Sequence, residues 1–404
     1  MHLSFLGPLF DRSGPWATVY FDLGQNDESG AKRRELSVRE VCRTLQEQGA
    51  DQVTVQAVEE TLTGTPVAEY PTGRALFATG GEVVLSHRLS RAPQGQSATW
   101  APLPRLLPLV ELCGQDPVCL VAYVDRTGAD FERRGPGGPR DVGGVEGQQW
   151  PVHRTSTSDW SERHFQLKVE NTWEQNAAEI AEALAAAFEE SGAELVVLVG
   201  DERERPAVHE KLPEAVREVT VETEHGGRAP GSDSSALEEA VERARREFNH
   251  RRVEAALDRF RAGRSGKDDR PEGAVEGVPA VVEAAREHRI DTLLLRPDGP
   301  DLARETWVGP GPDQVAVRRS DAHTLGESDP YSVRADDALL RSAAVTGANV
   351  LVLPLPDDEP SLSDDAGRSN ADGTSGAEQA GAPAGAGTGD IPVGGIGALL
   401  RWTY

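Results

Sequence analysis

Between Arg154 and Lys168 the chain reads RTSTSDWSERHFQLK, and few other stretches crowd so many reactive side chains together. Arg154, Arg163, His164 and Lys168 are cations or potential cations. Ser158 and Asp159 add polar groups, and Trp160 adds an indole. Cations beside hydroxyls are the residue types that contact RNA phosphates. An indole beside them either stacks on a base or packs over the start of a helix. Ser156, Ser158 and Ser161 near His164 and Asp159 also hold the ingredients of an acyl-transfer triad, but no G-x-S-x-G elbow presents a nucleophile. A structural reading accounts for the acids without chemistry. Asp159 and Glu162 have capping-box spacing, and both carboxylates suit the positive end of a helix. The two readings are compatible, so Arg154, Ser158, Asp159, Trp160, Arg163, His164 and Lys168 are the candidate RNA contacts.

The elements that must position this stretch follow from periodicity. Phe165, Val169, Trp173, Ala177, Ile180, Leu184 and Phe188 recur three or four apart, one apolar stripe of a long helix that stops at Ser191-Gly192. Upstream, VCLVAYVDRTGADFERR reads as two strands about a turn at Thr127-Gly128. A Gly/Pro loop then leads to a strand near Val145 to His153. Downstream come the buried strand AELVVLVGD, the strand REVTVET and a second long helix, SSALEEAVERARREFNHRRVEAALDRFRAG. Alternating strands and helices predict a mixed sheet covered by helices.

Around this middle segment, ELSVREVCRTLQEQGA offers Ser37 and Glu40 in capping-box register, and RALFATGGEVVLSHRLS reads as a hairpin about Gly80-Gly81. Toward the C-terminus, VPAVVEAAREHRIDTLLLRP and ADDALLRSAAVTGANVLVLPL are two similar helix-strand units. IPVGGIGALLRW supplies a closing strand, with Gly394, Gly395 and Gly397 admitting a tight turn into it. Residues 357–390 hold almost no large apolar side chain and are expected to be a disordered surface insertion. The expected fold class is α/β in three domains: 1–115, 116–268 and 274–404.

The totals agree. A chain of 404 residues is too long for one ordinary core. Three cysteines cannot build a disulfide framework. No signal peptide or apolar run of membrane-spanning length is legible, so a soluble cytoplasmic protein is expected, with no membrane partner. A net charge of -25 argues against nonspecific nucleic-acid binding, and no DNA partner is expected, although a local basic patch remains compatible. No zinc spacing or phosphate-binding glycine loop is present, so neither metal nor cofactor is expected. Asp336-Asp337 could be an acid/base pair, but at a helix start capping is the plainer role. The cation run RARREFNHRR is either a solvated helix face or a contact to ribosomal RNA or a protein.

AYVDRTGADFERR, HFQLKVENTWEQNAAEIAEAL and ELVVLVGD, in that order, resemble the middle domain of the archaeo-eukaryotic class-I release factors and the Pelota proteins. The likeness is strongest to their bacterial branch, related to Balon-type hibernation factors. ADDALLRSAAVTGANVLVLPL with GIGALLRW resembles that family's third domain, an α/β/α sandwich shared with kink-turn-binding ribosomal proteins. In release factors the loop before the long middle helix carries Gly-Gly-Gln. Here the matching place reads Ser158-Asp159-Trp160, and GGVEGQQ at Gly143 to Gln149 precedes it without forming the motif. The resemblance therefore implies a non-catalytic factor that binds the ribosomal A site and ribosomal RNA, for hibernation or stress protection, with delivery by elongation factor EF-Tu. The alternatives are a rescue-type peptidyl-tRNA hydrolase using Gln148 or Gln149, and a stress-related protein-interaction scaffold.

Overall fold

The computed structural model describes residues 3–23, 28–65, 73–89, 91–113, 117–135, 138–146, 159–228, 234–264, 273–354 and 391–402. The chain forms two compact units. One holds residues 1–87, 92–114 and 253–404, the other residues 88–91 and 115–252. Both are α/β. Among the described residues, no helix is long and apolar enough to cross a membrane.

The first unit opens with a short helix α1 (Gly7–Phe10) and strand β1 (Trp16–Asp22), followed by helices α2 (Glu28–Glu47) and α3 (Gln52–Gly64). Strands β2 (Gly73–Thr79), β3 (Glu82–Leu89) and β4 (Ser97–Ala101) complete an antiparallel sheet ordered β3-β2-β1-β4, and α4 (Leu107–Cys113) follows. Ala17, Val19 and Phe21 pack against Val38, Val41, Cys42 and Leu45 of α2 and Val55, Val58 and Leu62 of α3. The opposite face of β1 is closed by the chain leading into α4, where the Tyr20 hydroxyl donates to Arg105 O at 2.6 Å and accepts from Leu109 N at 3.0 Å. The hairpin falls where the sequence places it, with Gly80 and Gly81 at φ 58° and 82°, the left-handed pair a tight two-residue turn requires. The capping box does not hold. α2 already starts at Glu28, so Ser37 lies in its third turn. The polar residues before Val38 carry no apolar period to reveal the helix, yet Arg34 there ties it down by donating to Leu62 O at 2.7 Å.

The second unit is a three-layer sandwich. Strands β5 (Cys119–Asp125), β6 (Gly128–Gly135), β7 (Gly138–Glu146), β8 (Leu195–Val199) and β9 (Thr220–Thr223) form one mixed sheet in the order β7-β6-β5-β8-β9. β5, β8 and β9 run parallel; β5, β6 and β7 are antiparallel. Strand alternation sorts the core. Leu120, Ala122, Val124, Val196 and Leu198 meet Ala177, Ile180, Ala181 and Leu184 of helix α5 (Asp159–Ser191), together with Val208 of α6 (Glu204–His209) and Val216 of α7 (Glu214–Arg217). Cys119, Val121, Leu195, Val197 and Val199 meet Leu237, Val241 and Ala244 of α8 (Ser234–Arg264) on the other side. α5 stops as expected, with Gly192 at φ 62°. Residues 147–153 of the strand expected from Val145 to His153 lie outside the described residues, and the expected Gly/Pro loop is corrected, because strand β7 already starts at Gly138 and runs to Glu146. Its glycines hid it. Gly144 is required because a Cβ there would lie 2.3 Å from Ala129 O of β6.

The first unit resumes in the last turns of α8. Strand β10 (Ala274–Glu276), helix α9 (Val278–Arg286), strand β11 (Ile290–Leu295), helix α11 (Ala335–Thr346), strand β15 (Asn349–Val352) and strand β16 (Ile396–Leu400) form the larger module. Between β11 and α11 lie β12 (Glu305–Val308), β13 (Val315–Ala316), α10 (Arg319–Thr324) and β14 (Tyr331–Arg334). The main sheet runs β10-β16-β11-β15, so the last strand in sequence is an inner one. Val253, Ala256 and Phe260 of α8 cover Ala274, Leu294, Leu351 and Leu399. The alternate residues of β11 face the side on which α9 and α11 pack, giving the expected α/β/α order. The small sheet β13-β12-β14 was not legible in the sequence, because strands of two to four residues show no period.

Asp336 and Asp337 depart from their expected role. The cap position of α11 is Arg334, which makes no side-chain cap bond. Asp336, fully buried in the first turn, accepts from Arg334 Nε and Nη2 at 2.9 and 2.6 Å and from Asp337 N at 2.9 Å. Asp337 is buried beside it, and its Oδ1 has no partner among the described residues.

Candidate functional site

Parallel strands β5, β8 and β9 end together, and the crevice beyond the carboxyl ends of parallel strands is where α/β sheets place ligands. α5 is oriented so that its start lies at this end. Asn176 Nδ2 donates to Arg126 O at 3.0 Å in the β5–β6 turn, while Ser191 O at the helix's far end accepts from Arg133 Nε at 3.0 Å.

Of the residues read from the sequence, Arg154 and Ser158 lie outside the described residues. Asp159, Trp160, Arg163, His164 and Lys168 fall in the first three turns of α5, where only the helical backbone is described. Asp159 is the first helical residue. The helix sets Trp160, His164 and Lys168 four residues apart, on one stripe.

Beneath them the structure brings together residues the sequence did not pair. Arg126 Nε donates to Glu204 Oε1 at 3.0 Å, and its guanidinium lies 5.9 Å from the ring centre of Trp173. Glu204 is buried, which raises its pKa; the hydrogen bond from Arg126 opposes that rise. Asn176, 2% exposed, fixes the turn that carries Arg126. On the other side of the turn, Asp125 Oδ1 accepts from Thr127 N and Oγ1 at 2.7 Å each and from Gly128 N at 3.0 Å. Arg228 donates to Asp125 at 3.0 Å and to both oxygens of Asp130 at 2.8 and 3.1 Å, with Glu146 at 3.8 Å. Burial would raise the pKa of Asp125, but the Thr127 and Arg228 bonds outweigh it and hold it below its ordinary value. Only the turn was legible. Glu204 and Arg228 stand 78 and 103 residues from their partners, with no local signal.

The model of the bacterial archaeo-eukaryotic release factor family 2 matches residues 118–266, which begin in front of β5 and end beyond α8. Uncharacterized proteins MT2704 and Rv2629, from two strains of Mycobacterium tuberculosis, are each 30% identical over 338 residues, covering 83% of this chain and 88% of theirs. The chain belongs to the bacterial branch of the archaeo-eukaryotic release factor superfamily. Among solved structures, this release-factor relative is similar to Saccharomyces cerevisiae Dom34 (TM-score 0.39, 11% identity, 83% of this chain and 82% of that one). It is also similar to Archaeoglobus fulgidus Pelota (TM-score 0.33, 13% identity, 99% and 92%).

In this release-factor relative the Asp125–Arg228 network braces the turn under the candidate interface. Replacing Arg228 with Ala is expected to lower stability by only about 1–2 kcal/mol, because Asp125 and Asp130 stay 40% and 57% exposed and water screens them. The contribution of Asp125 is present above its ordinary carboxyl range and is lost as pH falls through its lowered folded value. Faster amide exchange at Thr127 and Gly128 in the variant, converging with wild type in acid, is the expected result.

Proposed function

We propose that this protein is a ribosome-associated factor that occupies the ribosomal A site for hibernation or stress protection and does not release peptide. Family membership supports a ribosome-associated factor. One observation carries the non-catalytic reading: α5 is helical from Asp159, and Ser158-Asp159-Trp160 stands where catalytic relatives carry Gly-Gly-Gln. Trp and Asp do not reach glycine backbone geometry cheaply, and an Asp carboxylate repels tRNA phosphates. No glutamine lies between Arg154 and Arg163 to orient a hydrolytic water.

In this reading Arg154, Ser158, Asp159, Trp160, Arg163, His164 and Lys168 form the contact to ribosomal RNA. Residues 1–115, 116–268 and 274–404 serve as three domains, and EF-Tu delivers the factor in the cytoplasm. Archaeal Pelota is described as ribosome-bound; the same partner is proposed here on family membership.

Co-sedimentation with vacant ribosomes, with and without EF-Tu, tests the partner. Labelled peptide release from stalled complexes tests the chemistry. Binding without release is expected. Absence from the ribosomal fraction would refute the proposal. Release that disappears on changing Gln148 or Gln149 would replace it with a peptidyl-tRNA hydrolase.

A further inference from the structure

We infer that Arg126 is a preset phosphate-binding arm for RNA, with the Trp173 indole beside it as a stacking surface for an adjoining base. The inference rests on the ribosome-binding reading above and names a contact outside the stretch from Arg154 to Lys168.

Two arginines flank the same turn and are used in opposite ways. Arg228 spends all three of its nitrogens on Asp125, Thr127 and Asp130, and its side chain is 15% exposed. It is a brace. Arg126 engages one nitrogen, Nε, and its side chain is 69% exposed. Its Nη1 and Nη2 have no partner among the described residues.

Three elements fix this open arm. Asn176 of α5 holds its carbonyl, Trp173 of α5 lies against its guanidinium, and Glu204 of α6 anchors its Nε. The Glu204 side chain is only 6% exposed. Burying a carboxylate is costly, and one needed only for charge balance would do as well against the terminal fork. Bound at Nε, it leaves the terminal nitrogens without a hydrogen-bond partner among the described residues. Fixing an arginine in advance lowers the entropy lost when it binds, and the planar fork matches a phosphate's oxygens.

RNA is favoured over an acidic protein surface by the indole. Trp173 is half-buried with the Arg126 guanidinium over its ring, so a base would meet the part of the indole left open; stacking of this kind tolerates any sequence.

The test is binding of the full chain to vacant ribosomes by sedimentation across a potassium chloride series. R126A is expected to weaken binding about tenfold or more and to lower the salt slope by about 0.7–0.9. R126K should keep the slope and lose part of the affinity, since lysine restores charge without the fork. W173A should weaken binding with the slope unchanged. E204Q should weaken binding without changing the slope, because the charge remains and only its orientation loosens. R126A leaves Glu204 buried without its partner, so R126A/E204Q compared with E204Q alone guards against misfolding. R39A, on an exposed i,i+4 pair of α2, should bind like wild type. If wild type binds and R126A/E204Q matches E204Q in affinity and slope, this inference falls alone. If wild type does not bind ribosomes, the functional proposal and this inference fall together.

Discussion

Replacing Arg334 with Ala should destabilise the first unit by about 3–5 kcal/mol at neutral pH, because it leaves a fully buried carboxylate without its partner. Asp336 has 0% exposure and takes two of its hydrogen bonds from Arg334. Asp337 follows at 3% exposure, with Arg105 Nη1 3.5 Å from its Oδ2. Glu111 of α4 is close enough for Asp336 to raise its pKa. Asp336 and Asp337 thus face the guanidiniums of Arg334 and Arg105, with the Glu111 carboxyl as a third acid near Asp336, and burial favours the protonated forms of Asp337 and Glu111. Burial, with Asp336 adding to it, raises Asp337 to about 8. Burial, again with Asp336, raises Glu111 to about 7.

The pH dependence follows. The folded state binds protons that the unfolded chain has already released above about pH 4. The stability held by these two groups is therefore greatest below the ordinary carboxyl range. It declines as pH rises, at about 1.4 kcal/mol per pH unit for each proton that the folded state still holds, and levels off once pH has passed the raised value of about 8. Wild type should lose melting temperature between about pH 5 and about pH 9, and D337N, whose amide mimics the protonated acid, should lose less. Calorimetric scans across that range decide it. A wild-type melting temperature that rises with pH over the interval, or a D337N profile parallel to wild type, would refute a raised Asp337.

Gly395→Ala is the second large effect, expected at about 3–5 kcal/mol. The residue sits at φ 82°, and a Cβ would lie 2.5 Å from Gly299 Cα and 3.2 Å from Arg296 O. Both obstacles are backbone, so no rotamer change relieves them. The crossing cannot open cheaply, because Arg296 N donates to Gly395 O at 2.9 Å and Asp301 N to Gly394 O at 3.1 Å. These bonds seat β16 between β10 and β11. Gly394→Ala is the discriminating control. Its φ is 69°, and a Cβ would meet the Asp301 carboxylate, which can swing aside, and the Asp301 Cβ at 2.8 Å, which needs a small backbone shift but is not itself backbone. It should cost less than Gly395→Ala, about 2–3 kcal/mol. Equal losses in urea unfolding of the two variants would sink the argument from close backbone approach.

The amino-acid sequence by itself determined what is periodic or locally punctuated. The helix stripe through Ala177, Ile180 and Leu184, the hairpin at Gly80-Gly81, the stop at Gly192 and the strand at Leu195 are all decided within a few residues, and all form. The absence of Gly-Gly-Gln is likewise a matter of sequence alone. The tertiary structure decided what depends on chain segments far apart. Gly144 permits strand β7 only because Ala129 O approaches it, and the start of α2 at Glu28 is secured from α3 through Arg34. Asp336 and Asp337 have the spacing of helix caps, but Arg334 and burial against α4 turn them into a charge cluster. Arg126 and Arg228 look alike in sequence. Only the fold makes one a brace and the other an open arm, because a side chain's free valences depend on which carboxylates the chain brings to it, and those partners lie 78 and about 100 residues away.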